Sequence, residues 1–328
     1  MKQNLSLDSS EDITLKIKEK ALSLGFDDCG VAEAGEVPAR ESGRLTRWVD
    51  SGFHADMGYM ERNNDKRIDP RSLVLGARSV IVLLTNYYSG YNPDSERPRV
   101  ARYAAGADYH KVLKDKMYSL LQFIKEIVPG SNGRVFTDSA PVMERTWAVT
   151  AGLGWIGRNS MLISKKYGSY NFLAEIITTA ELNPDRPFKT SHCGSCTKCV
   201  TACPTAAILP DLTVDSNRCI SWVTIENKDK IPGVFKGRMQ NWIFGCDICI
   251  EVCPWNNHPV ITGEKLFRPN DAVERMANGN WQLTDQKQFE EDFSDSPLLR
   301  TGYNGIRRNL EFIKDDPPSV LKGDDKKQ

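Results

Sequence analysis

Apolar positions recur at two spacings along this chain. Ile13, Ile17, Ala21 and Leu24 fall on one helical face, with Ser9 or Ser10 as cap and Gly25 as stop. Arg40–Ser51 predicts a second helix, closed by Gly52, and Ala107–Ile127 predicts a long amphipathic one. Short β-rich runs lie between: Cys29–Ala32, Ser79–Leu84, Arg134–Thr137 and Phe172–Thr179. Pro141 is expected to open a further helix, where its missing N–H costs nothing, and Gly152 to close it.

Strands and helices alternate up to about residue 185, predicting an α/β or α+β domain over 1–185. Asn183–Pro187 reads as a linker. A cysteine-rich domain with short helices is expected over 186–262. A polar helical segment follows over 263–328, with a frayed, disordered tail from Asp315.

Lys+Arg and Asp+Glu both number 43 in 328 residues, so no whole-chain basic signature for nucleic acid exists, though local patches remain open. Met1–Ser10 holds no apolar signal core, and the longest apolar candidate, Val80–Leu84, is strand-sized. A soluble, cytoplasmic protein that does not enter membranes is expected. Eight of the nine cysteines lie between Cys193 and Cys253 in metal-ligand spacing, which fits a reducing compartment. Cys29 stands apart, near a predicted strand, and reads as a small buried residue.

Cys193, Cys196, Cys199 and Cys203-Pro204 follow C-x2-C-x2-C-x3-C-P, the bacterial ferredoxin run that binds 4Fe–4S clusters. Cys246, Cys249 and Cys253-Pro254 are a partial copy, and Cys219 is the nearby spare. Pseudo-symmetry then predicts two clusters with crossed ligands: Cys193, Cys196, Cys199 and Cys253 on one, Cys219, Cys246, Cys249 and Cys203 on the other. Zinc knuckles lack the x3-C-P tail. Two one-electron centres imply a further redox centre in the first 185 or so residues.

Two motifs weaken on inspection. Gly152-Leu-Gly154-Trp-Ile-Gly157 matches G-x-G-x-x-G, but it follows a helix instead of a strand. Asp108-Tyr-His110 begins like the cobalt-ligating D-x-H-x-x-G motif, but position 113 is Leu, so His110 reads as an ordinary helix residue.

Several stretches together resemble the epoxyqueuosine reductase family, iron–sulfur and cobalamin enzymes of queuosine tRNA modification. They are Met57–Arg62 with Arg67–Pro70, Gly106–Lys111, Thr137-Asp138-Ser-Ala-Pro141, Gly152–Asn159 and the ferredoxin frame. The resemblance runs from about residue 10 to about 310. It implies an α+β protein: an N-terminal α/β cobalamin-binding catalytic domain related to reductive dehalogenases, a bacterial ferredoxin-like 2×[4Fe–4S] domain and a short helical C-terminus.

The resemblance also implies that epoxyqueuosine at the wobble position of a tRNA anticodon loop is reduced to queuosine by base-off cob(I)alamin, to which the clusters pass electrons singly. An external one-electron donor such as a flavodoxin or ferredoxin, and a monomeric state, go with that expectation. Asp138 matches the proton donor, a role that requires burial to raise its pKa. Arg62, Arg145, Arg158, Asn159, Ser160, Gly168, Ser169 and Tyr170 stand at positions matching cobalamin contacts. Lys165, Lys166, Lys228–Lys236, Arg238, Arg307 and Arg308 are candidates for tRNA phosphates, and Trp155 or Tyr170 for stacking on the base. Two rival readings are another cobalamin reductase acting on a small molecule and a ferredoxin-like electron carrier. The large N-terminal region argues against the carrier.

Overall fold

The run Ser79–Asn86 holds five apolar residues in succession, Val80–Leu84, because it is buried on both faces, and the structure, a computed structural model describing residues 9–315, forms around it. The first helix is α1 (Ser10–Ser23), capped by Ser9 in a reciprocal box with Asp12. Strand β1 (Asp28–Glu33), helices α2 (Ala39–Asp50) and α3 (Asn64–Ile68), and strand β2 (Ser79–Asn86) follow. Next come β3 (Arg99–Val100), α4 (Tyr109–Ile127), β4 (Gly133–Phe136), α5 (Glu144–Thr150), β5 (Trp155–Ile156), β6 (Leu162–Ile163) and β7 (Asn171–Thr178).

The main sheet has the order β1-β2-β7-β4, and every neighbouring pair is antiparallel. That decides between the two expected classes in favour of α+β; alternation of strands and helices does not reveal strand direction. Side chains along β2 divide by the two-residue repeat. Ile81 and Leu83 join α1 and α4 through Ile17, Leu113, Met117 and Leu120. Val80, Val82 and Leu84 join α5 through Trp147 and Ala148.

The helix expected at Pro141 begins at Glu144 instead. The chain leaves β4 with Asp138 in the left-handed region (φ 48°), and a turn closed by Val142 N–H to Ala140 C=O comes before the helix can start. Gly152, at φ 80°, ends α5, and a side chain at Gly154 would collide with the Ile163 carbonyl in the β5–β6 hairpin. The G-x-G-x-x-G match is therefore accounted for by a helix stop and a tight hairpin.

The cysteine-rich part holds α6 (Lys198–Ala202), α7 (Ile220–Ile225), β8 (Trp242–Phe244) and α8 (Ile248–Glu251); α9 (Asp271–Ala277), α10 (Gln286–Asp292) and α11 (Gly302–Asp315) complete the described chain. The expected frayed tail beyond Asp315 lies outside the described residues, while Asp315 itself ends α11. One apolar core joins Val100–Ala105, the α7 and β8 residues Val223, Trp242 and Phe244, and Val273, Phe289, Phe293, Ile306 and Leu310 of the last helices. It therefore runs across residue 262.

Strand β3 pairs in parallel with β8, which ties the first region to this core. Arg102 completes the tie. It is 6% exposed and reaches Asp247 Oδ2 at 3.2 Å and Glu251 Oε1 at 2.6 Å, beside Cys246 and Cys249. Arg102→Ala would leave Asp247, 2% exposed, as a buried unpaired carboxylate. A loss of about 3–5 kcal/mol is expected, measured by urea unfolding, together with loss of iron from the Cys246 side.

Candidate active site

Asp138 sits two residues beyond β4, and its surroundings come from α4 and α5. Tyr109 O–H donates to Asp138 Oδ2 at 2.7 Å, and His110 Nε2 stands 3.7 Å from the same oxygen. The α4 cap places both groups: Asp108 accepts from His110 N–H, and its carboxylate also holds His110 Nδ1 at 2.7 Å. Tyr109 is fixed by stacking on Phe172 of β7 at 4.2 Å. On the other side, Asp138 N–H donates to Glu144 Oε1 at 2.6 Å.

Asp138 keeps 66% of its side-chain surface accessible, and Glu144 is partly accessible, yet burial is the largest influence on the acidity of both. The direction at Asp138 differs from expectation. Burial pushes its carboxyl up, but hydrogen bonds from His110 and Tyr109, with the charge of Arg300, outweigh this and hold it below the ordinary range. The proton is kept next door. Burial works against the His110 cation, but the bonds to Asp108 and Asp138 lift it to about 9.

A second carboxyl pair stands behind this one. Glu175 of β7 is fully buried, between Leu173 and Ile177 on the face toward α5. No N–H or hydroxyl donor reaches its oxygens, and the Glu144 carboxyl is its polar neighbour. Burial, then the negative charge of Asp138, pushes Glu144 up to about 8, and burial with the charge of Glu144 pushes Glu175 well above the ordinary range.

An acid whose folded value lies above its ordinary one, here 4.5, holds a proton only in the folded state within that window. Stability therefore falls as pH rises from 4.5 to about 8. Glu175→Gln, which cannot ionise, is expected to make the Tm change less than in the wild type between pH ~5 and ~8.

The cysteines fall into two groups. Burial raises the thiols of Cys199, Cys219, Cys246, Cys249 and Cys253, and the charges these sulfurs sense show their neighbours. Cys253 senses Cys193 and Cys196, and Cys199 senses Cys253 and Cys193. Cys219 senses Cys203, Cys246 senses Cys249 and Cys219, and Cys249 senses Cys219 and Cys203, with Cys199 last. Among the described residues no two cysteines form a disulfide. Cys29 is a buried residue of β1.

The matched cobalamin positions divide. Arg145, exposed, donates to the Ser160 carbonyl, and Ser160 Oγ donates to the Leu212 carbonyl. Arg62 is exposed. Arg158 Nη2 donates to the Gly194 carbonyl at 2.9 Å, which points it at the first cysteine loop. Asn159 is buried with Nδ2 3.3 Å from the Cys249 carbonyl. Gly168, at φ 61°, packs so closely on Asn256 that any side chain there would overlap it, and Ser169 N–H donates to Asn256 Oδ1 at 2.8 Å.

Tyr170 and Trp155 are each 3% exposed and belong to cores, so neither is presented to a base. Two of the tRNA candidates are occupied within the chain. Arg308 holds the carbonyls of Val223, Asn227 and Asp229, and Lys228 those of Ile225 and Arg300. The sequence reading missed His110, Tyr109, Glu144, Glu175 and Arg300. A glutamate inside the apolar run Phe172–Ile177 was the one visible signal.

Residues 192–256 match the family described as 4Fe-4S double cluster binding domain, and residues 67–139 match Epoxyqueuosine reductase QueG, DUF1730. The epoxyqueuosine reductase of Cyclobacterium marinum is 47% identical over 93% of this chain and 98% of its own. That of Pseudomonas aeruginosa is 37% identical over 97% and 89%. The crystal structure of an epoxyqueuosine reductase with an epoxyqueuosine-modified tRNA-Tyr stem loop superposes with a TM-score of 0.82 at 28% identity, over 93% of this chain and 82% of that one.

Proposed function

Because the chain belongs to the epoxyqueuosine reductase family, we infer that it reduces epoxyqueuosine to queuosine at the wobble position of tRNA, the final step of queuosine formation. The observation that carries this reading is the near-complete superposition on a reductase that holds the modified stem loop. The chain is an oxidoreductase with two 4Fe–4S clusters. Cys193, Cys196, Cys199 and Cys253 would hold one, and Cys203, Cys219, Cys246 and Cys249 the other. The mutual influence of the sulfurs within each set supports that division.

A base-off cobalamin would sit beside Asp138, Glu144 and Arg145, where His110 is committed to Asp108 and Asp138 instead of being offered to cobalt. Arg145 and Arg62 would hold its polar periphery. When bound, the corrin supplies a low-potential metal centre for the two electrons that turn an epoxide into an alkene. Asp138 supplies a proton to the departing oxygen, an alkoxide being a poor leaving group, and His110 replenishes Asp138 through the oxygen they share. Tyr109 holds that oxygen in place.

An external one-electron carrier of flavodoxin or ferredoxin type feeds the chain, which acts as a monomer in the cytoplasm; among the described residues no helix is long and apolar enough to cross a membrane. The test is conversion of an epoxyqueuosine-bearing stem loop by the reconstituted protein under a chemical reductant, read by nucleoside mass spectrometry. Queuosine is expected. Unchanged epoxyqueuosine beside turnover of a small halogenated substrate would replace this reading with the dehalogenase-like one.

A further inference from the structure

Away from Asp138, a depression of about 550 Å³ is walled by Arg40, Arg44, Arg47, Arg158, Cys193 and the Pro210–Leu212 turn. Arg40, Arg44 and Arg47 lie four and three residues apart on α2, so they share one face of that helix. No residue of α2 is fully buried. The carboxylates at hand are Asp211 in the wall and Glu41, which Arg44 meets at 3.1 Å. Four guanidiniums therefore share one concavity with two carboxylates, a net positive surface.

The depression ends on the accessible end of the cysteine frame. Gly194, Ser195, Thr197 and Lys198 are exposed, and Arg158 ties Gly194 to the arginine wall at 2.9 Å. Around Cys246 and Cys249, by contrast, Gly245, Asp247, Ile248 and Ile250 are buried. None of Asp138, His110 or Glu144 lines the depression.

On the iron–sulfur reading above, we propose that this arginine face is the docking surface for an acidic one-electron carrier protein, whose redox group it brings over the Cys193–Cys199 loop. Each encounter oxidises the carrier by one electron and reduces the iron–sulfur domain by one. Two encounters supply the pair that an epoxide consumes. Redox encounters of this kind bury little area and depend on opposite charge for speed and orientation. RNA phosphates would also meet arginines, but RNA seated here would cover an iron–sulfur loop on a face that none of Asp138, His110 or Glu144 lines.

The test uses the reconstituted full chain and two probes, a bacterial flavodoxin with FMN and a [2Fe–2S] ferredoxin, with binding followed by titration calorimetry at low and high salt. At least one carrier is expected to bind the wild type, more weakly as salt rises. The triple variant Arg40→Glu, Arg44→Glu, Arg47→Glu is expected to bind that carrier about tenfold more weakly or worse, while the triple lysine variant keeps most of the affinity. Tm and turnover of the modified stem loop with dithionite should not change. The proposal is overturned if neither carrier binds the wild type, if charge reversal leaves carrier binding intact, or if stem-loop affinity falls with reversal, which would make this an RNA face. Failure of the wild type to turn over under dithionite would strike the functional reading alone, since carrier binding is measured separately.

Discussion

Asp138→Asn is expected to lower conversion of the modified stem loop by about 10²- to 10⁴-fold, with iron content and cobalamin binding unchanged. The amide keeps the shape and still accepts from Tyr109, but it cannot relay a proton. The resting charges sharpen the expectation. Asp138 is ionised beside a His110 cation, so the transferable proton sits mainly on histidine. Wild-type activity should then fall as pH rises through about 9, where His110 loses its proton. His110→Phe should lose most of the activity at neutral pH while leaving Asp138 in place. Full turnover by Asp138→Asn would remove this residue from the acid role.

The second large effect concerns the crossed cysteines. Cys253→Ala and Cys203→Ala should each lower iron from about eight to about four per chain. They should do so from opposite places. In Cys253→Ala, anaerobic alkylation is expected to reach Cys193, Cys196 and Cys199 and to spare Cys219, Cys246 and Cys249. In Cys203→Ala the pattern should reverse. If ligation is local, each variant instead exposes its own sequence neighbours, and peptide mass spectrometry separates the two outcomes.

What the sequence made legible depended on how local the signal was. The cysteine spacings, the Ser9 cap and the apolar run of β2 are local patterns, and the structure bears out the last two. Asp138 was visible through its motif, but its chemical state was not. His110 looked like an ordinary helix residue because its significance rests on a chain segment 28 residues away, brought to 3.7 Å. Strand direction was hidden because apolar periodicity is the same in parallel and antiparallel sheets. Glu175 broke the pattern of its strand, yet only folding shows that its carboxyl faces another. Arg158 was read as a cofactor clamp, and its reach to Gly194 depends on a loop 36 residues on.

Asn309, near the end of the described chain, is fully buried and donates to the carbonyls of Thr224 and Ile243 at 2.9 and 2.8 Å. Together with the β3–β8 pairing this makes the iron–sulfur part a non-transferable component. A gene fragment covering only its cysteines would lack both the strand that lines one side and the helix that plugs the other. Recombination that moved it into another enzyme would have to carry pieces from three separate places in the coding sequence.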